Sequence, residues 1–155
     1  MQPRLMTLAV GLSLAFLVSC SSSESSSSSS AGGPTSVTQK VGADGATLVV
    51  DGATITIPKG ALDKEIEITI ASNGAAPAGY DVLSKVYQCG PTGTDFKVPV
   101  TMNMPFTDDG KGPVTMFWTA GPDPAFKDIG GKPDGKMFSA TVMHFSGGFA
   151  GRVKK

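Results

Sequence analysis

The sequence predicts an all-β fold, an antiparallel β-sandwich, and three observations predict it. From Ser36 onward, short runs place apolar side chains at every second position, which is the period of a half-buried strand. Turn signals such as Asp44-Gly45, Asp51-Gly52, Asn73-Gly74 and Asp134-Gly135 punctuate these runs at close intervals. No stretch after Ser36 keeps a 3.6-residue apolar period for more than a turn. Strands with one apolar face each need a second layer to cover it, and two facing sheets supply one.

The first candidate strands are Val37 to Val41, Ala46 to Val50 and Ala53 to Ile57. Asp51-Gly52 between the last two is a two-residue hairpin signal. Ala53, Ile55 and Ile57 share one face and Thr54 and Thr56 the other, and Ile66, Ile68 and Ile70 repeat the scheme in Glu65 to Ala71. Val82 to Cys89 reads as one strand, stopped by Gly90-Pro91-Thr92-Gly93. Val98 to Met104 follows, with Val98, Val100, Met102 and Met104 on one face. Pro99 and Pro105 on its other face suggest an edge strand, where a missing backbone donor costs little. Val114 to Thr119, Met137 to His144 and Phe149 to Val153 complete the set, with Gly121 to Pro124 and Gly130 to Gly135 as turns between them. Trp118, Phe117, Phe126, Phe138, Phe145 and Phe149 are the large groups expected in the core, with Met102, Met104 and Met116.

Three local patterns carry a resemblance. Thr54 to Leu62 (TITIPKGAL), Leu83 to Gly93 (LSKVYQCGPTG) continued by Phe96, Pro99-Val100 and Met104-Pro105, and Met143-His144-Phe145-Ser146 are similar, in this order, to blocks of the ZU5 (ZU-five) domain. The likeness runs from Gly45 to Phe149 and implies a β-sandwich; Lys59 stands where that family often has Pro.

The N-terminus has a different character. Leu5 to Val18 is apolar behind a single Arg4 and falls short of the roughly 20 residues of a membrane-spanning helix. It reads as an export signal over residues 1–19. Leu17-Val18-Ser19-Cys20 resembles the lipobox of bacterial lipoproteins, which implies that Cys20 carries a diacylglycerol. Ser21 to Ser30 is serine apart from Glu24, and residues 20–35 are expected to be a disordered, flexible Ser/Gly-rich linker to a folded domain at 36–155. Ser21, not Asp, follows the lipobox Cys, a pattern that in that family implies outer-membrane sorting.

Charge and rare residues exclude several functions. Thirteen basic residues balance thirteen acidic ones, and loss of the leader removes only Arg4, so a basic nucleic-acid surface is not expected. If Cys20 is acylated, Cys89 has no partner within the chain and reads as a small buried hydrophobe. One His and two Cys argue against a zinc site, and no metal or other cofactor is expected.

The sharpest chemical candidate is His144-Phe145-Ser146. Some ZU5 relatives cut their own chain between Phe and Ser of such a tripeptide. The resemblance implies Ser146 as nucleophile attacking the Phe145 carbonyl and His144 as base, with Gly147-Gly148 letting the strand bend. The plainer reading ends a strand at His144, its imidazole hydrogen-bonded at the rim. It puts His144 on the face of Phe138, Ala140 and Val142, Phe145 opposite, and a bulge at Gly147-Gly148. That alternation needs no catalysis, and no enzymatic activity is expected. Asp108-Asp109 and Asp123 with Asp128 offer oxygen ligands for calcium without the EF-hand spacing. Trp118 would suit carbohydrate only if exposed. The expected role is that of a lipid-anchored cell-envelope protein, bound to the membrane through Cys20, whose sandwich serves as a structural or interaction module for an envelope or surface protein. Self-cleavage at Phe145-Ser146 and loop binding of calcium or carbohydrate are the alternatives.

Overall fold

The computed structural model describes residues 35–120 and 123–155. The expected leader over residues 1–19, Cys20, the expected linker up to residue 34, Gly121-Pro122 and the side chains of Asp123 and Pro124 lie outside the described residues. Twelve strands form: β1 (Ser36–Val41), β2 (Ala46–Val50), β3 (Ala53–Ile57), β4 (Ile66–Gly74), β5 (Tyr80–Val82), β6 (Val86–Gly90), β7 (Asp95–Pro105), β8 (Thr115–Ala120), β9 (Asp123–Gly130), β10 (Lys132–Asp134), β11 (Met137–His144) and β12 (Gly147–Val153). Seven of them make one sheet in the order β1-β4-β6-β12-β8-β9, with β5 added beside β12; the other five run β10-β11-β7-β3-β2. Every pairing is antiparallel. The fold is the all-β, two-sheet sandwich that the apolar alternation predicts.

The main core lies between the sheets. Ile55, Val100, Met102, Met104 and Phe138 from the five-stranded sheet face Ile68, Ile70, Tyr87, Met116 and Trp118 from the other, and all are fully buried. A second cluster occupies the outer face of the seven-stranded sheet: Val86, Phe117 and Phe149, flanked by Tyr80, Val82 and Phe126. Tyr80 meets Phe117, Phe126 and Phe149 edge-on, with ring centroids 4.8 to 5.9 Å apart, the geometry that aromatic quadrupoles favour. Phe117 and Phe149 therefore belong to a satellite core and not to the space between the sheets.

The β2–β3 hairpin shows how one turn ties the layers together. Val50 pairs with Ala53 across Asp51 and Gly52, whose φ angles of 48° and 81° are those of the tight turn that follows strand twist. The Asp51 carboxylate is 7% exposed and accepts from Lys85 Nζ at 2.5 Å and from Ser72 Oγ at 2.5 Å, while Tyr87 Oη donates to the Asp51 carbonyl at 3.3 Å. Hydrogen bonds from Lys85 and Ser72 hold the Asp51 carboxyl below its ordinary value. Burial, helped by the Asp51 charge, pushes the Tyr87 phenol up to about 12.

Five expectations need correction, the first being Asn73-Gly74, which is no turn: it ends β4, and Gly74 pairs with Val86 past a register shift after Ala71. The run Val82 to Cys89 is two strands, because residues 83–85 leave the ladder: Ser84 bridges to Phe106 in the other layer, and its Oγ accepts from Ala150 N–H at 2.8 Å. β7 is an interior strand, not an edge. Its prolines fit because Pro99 falls in an excursion between the Val100↔Val142 and Asp95↔His144 pairs, and Pro105 lies past the β3 ladder beside Gly52. Val98, in the same excursion, is exposed although its three partners in the alternation are buried. The supposed turns at Gly121 to Pro124 and Gly130 to Gly135 contain the start of β9 and all of β10, two strands that carry no alternating apolar signal.

Candidate functional site

The turn after β6 and the link between β11 and β12 meet at one end of the sandwich. Cys89 N–H donates to the Ser146 carbonyl at 2.7 Å, Gly93 N–H to the Phe145 carbonyl at 2.9 Å, and Phe145 N–H to the Thr94 carbonyl at 2.9 Å. The Gly90–Pro91 peptide is cis. Phe145 is fully buried and packs edge-on against Phe96 at 4.7 Å. Two of the motif blocks thus share one hydrogen-bonded unit, through residues more than fifty positions apart in the chain.

Phe145 does not sit opposite the apolar face. β11 stops at His144, and Phe145-Ser146 carries the chain from the five-stranded sheet to the seven-stranded one, so strand alternation no longer governs where the ring points. Gly147-Gly148 is not a bulge either. Both residues are paired in β12, to Gln88 and Tyr87. A Cβ on Gly148 would lie 2.2 Å from the Trp118 ring and 2.4 Å from the Phe117 carbonyl oxygen, so close approach and not bending explains the glycine.

Ser146 is buried, at 3% exposure. Its hydroxyl hydrogen-bonds the Thr119 hydroxyl, which also accepts from Gly147 N–H at 3.2 Å. His144 is half-buried at the end of β11, and its Nε2 lies 3.0 Å from the Thr119 carbonyl. A carbonyl only accepts, so Nε2 carries a proton and donates. Trp118 Nε1 donates to the His144 carbonyl at 3.2 Å. Thr119 therefore stands between His144 and Ser146, bonded to each by a different oxygen. A lone Thr at a strand end gave no sign of this in the sequence. The Phe145 carbonyl faces one amide donor, Gly93 N–H.

Beside this unit runs a groove of about 660 Å³ between the β3–β4 connection and the β6–β7 turn. Ala61, Leu62, Ile66, Pro91 and Phe96 wall it, and Asp63, Lys64, Asp95 and Lys97 rim it. Lys97 N–H donates to the Ala61 carbonyl at 3.1 Å, and Lys97 Nζ pairs with Asp63 at 2.7 Å, which fixes one wall to the other. The other candidates are occupied elsewhere. Cys89 is 2% exposed, and burial pushes its thiol up to about 12. Trp118 is buried, which removes it as a carbohydrate platform. Asp108 Oδ1 accepts from Gly110 N–H, Asp109 pairs with Arg152, and Asp128 accepts from Thr115 Oγ1 and Gly130 N–H. Among the described residues no group of three or more His, Cys, Asp or Glu side chains could hold a metal ion.

No curated protein matches the chain. The family model described as ZU5 domain matches residues 37–114, from β1 to the threshold of β8, and so covers both the Ile57-to-Leu62 turn and the Cys89-to-Gly93 turn that frame the groove. With half of its length in that match and a two-sheet antiparallel architecture, this chain belongs to the ZU5 domain family.

Proposed function

We propose that the protein is a lipid-anchored component of a bacterial cell envelope, held at the outer membrane through Cys20, and that its ZU5 sandwich binds a partner protein through the groove beside the Cys89-to-Gly93 turn. The observation that carries the binding role is the groove itself. It is apolar inside, rimmed by two charges of each sign, and built from two turns whose backbones are hydrogen-bonded into fixed positions. It opens at the end of the sandwich where β1 stops and β4 starts, away from the end at which the chain enters from its linker. The anchor rests on the sequence around Cys20.

Photoreactive residues placed at the rim positions Lys64 and Lys97, compared with the outward Val49, test the groove in native cells. A discrete adduct confined to the rim positions is expected. No adduct, or the same one from Val49, would sink the reading. Radiolabelled palmitate should enter the wild-type chain and not Cys20→Ala; an unlabelled chain that retains its leader rejects the anchor.

The chain acts uncut in this reading. The hydrogen bond between His144 and Thr119, and that between Ser146 and Thr119, support an architectural role for the tripeptide. Intact-mass measurement of protein held for days near neutral pH should find one species, and a fragment ending at Phe145 that disappears in Ser146→Ala would establish self-cleavage instead.

A further inference from the structure

In an antiparallel sheet each strand begins where its neighbour ends. The β1/β4, β4/β6 and β6/β12 pairings therefore put the start of β1 and the end of β12 at the same end of the sandwich. β8 also starts there, Thr115 lying opposite Gly151.

That end carries a cluster of cations. Lys111, Arg152, Lys154 and Lys155 line a cleft of about 370 Å³, with Asp81 the one acid in its wall. A second cleft of about 500 Å³ shares Asp81, Lys111 and Lys154 and is lined as well by Asp109 and by Ala76-Pro77-Ala78. Arg152 forms a fixed floor. Its side chain is 13% exposed, Nη2 pairs with Asp109, Nη1 donates to the Gly112 carbonyl at 3.2 Å, and Nε is buried without a partner. The same Asp109 carboxylate also faces Lys111 Nζ at 3.4 Å, so two cations share one anion. Lys154 and Lys155 are exposed and make no ion pair among the described residues. At the groove end the balance differs: Lys59 faces Asp44, Lys97 faces Asp63 and Lys40 faces Glu65, each with its own carboxylate, and Lys64, which makes no ion pair among the described residues, shares the rim with the unpaired Asp95.

We propose that the end at which the chain enters is a docking surface for the phosphate headgroups of an anionic bilayer. Lys111, Lys154 and Lys155 meet phosphate oxygens above the immobile Arg152 charge, and Ala76-Pro77-Ala78 rests at the interface. The inference rests on the lipid-anchor reading, which supplies the bilayer, and adds an orientation: the sandwich stands with its groove facing away from the membrane. Ammonium groups suit this task because they bind phosphate as point charges without fixed geometry, and each adds a similar increment near an anionic surface.

The test uses the full chain purified from membranes and reconstituted in vesicles of phosphatidylcholine, alone or mixed with phosphatidylglycerol, then probed with an amine-acetylating reagent read by mass spectrometry. Lys111, Lys154 and Lys155 should react about fivefold more slowly on the mixed vesicles, while Lys59 and Lys97 are unchanged. Equal rates on the two vesicles, or slowing at both ends, would overturn the proposal. So would equal protection by inorganic phosphate in detergent, which would mark a free-anion site. The exposed double variant Lys111→Glu/Lys154→Glu should stay on the vesicles through its lipid and lose the protection of Lys155; protection that persists counts against docking. The anchor reading fails separately, if the N-terminal peptide of the chain purified from membranes begins elsewhere than at Cys20 or carries no acyl mass.

Discussion

The two sheets bury their residues in different ways. In the five-stranded sheet β3 and β11 alternate cleanly, with Ala53, Ile55 and Ile57 or Phe138, Ala140 and Val142 inward; Thr54 and Thr56 point outward from β3, and Ser139 and Thr141 from β11 together with Met137 and Met143. In the seven-stranded sheet β12 is buried on both faces from Gly147 to Gly151, because Phe149 sits in the outer aromatic cluster while Ala150 faces the main core. A one-faced sheet tolerates ordinary side chains throughout. A two-faced strand must be thin where neighbours close over it, and β12 meets this with Gly147, Gly148 and Gly151.

The largest test of that contrast is Gly148→Val. The new side chain would collide with the Trp118 ring and the Phe117 backbone, so a loss of about 4 kcal/mol or more, seen as failure to fold, is expected; a soluble variant with unchanged melting would mean that β12 is looser than described. Next come Phe149→Ala and Phe138→Ala, one from each cluster. If the outer cluster is a second core, both cost about 3 to 5 kcal/mol in denaturant unfolding, whereas a loss under about 1 kcal/mol for Phe149→Ala would make it a surface patch.

A smaller effect is expected from Asp51→Asn, which keeps a residue type tolerant of φ near 48° but removes the charge that joins the sheets. It should cost about 1 kcal/mol at neutral pH, since Lys85 is largely solvated. Because the folded carboxyl titrates below its ordinary 3.8, its contribution is present above that value and is lost as pH falls through the lowered one. Wild type and variant should therefore converge in melting temperature on acidification below about pH 4, and a constant gap would refute the charge assignment. The smallest effect is kinetic: Cys89 should resist maleimide in the folded state, and its labelling rate should follow denaturant-induced opening.

The same contrast decides what the sequence reveals. β2, β3 and β11 keep the bounds expected from alternation and the Asp51-Gly52 turn, because each has one wet face. β9 and β10 escape notice because an edge strand with exposed residues such as Lys132, Pro133 and Asp134 has no apolar rhythm to detect. The Cys89-to-Gly93 turn and His144-Phe145-Ser146 were each visible as motifs, but their meeting depends on β11 and β12 lying in different sheets, which no local pattern encodes. Thr119, which links His144 to Ser146, becomes apparent only once β8 lies beside β12.

The chain crosses between layers at both flanks of the sandwich, from β1 to β2 through residues 42–45 and from β9 to β10 through Gly131 alone. These seams leave each flank as a rounded hem, and the outer strand β10 is three residues long with a proline at its centre. A neighbouring copy therefore finds only a short, proline-broken ladder at β10, whereas β1, with six residues, and β9, with eight, are the open edges where pairing between crowded copies would begin.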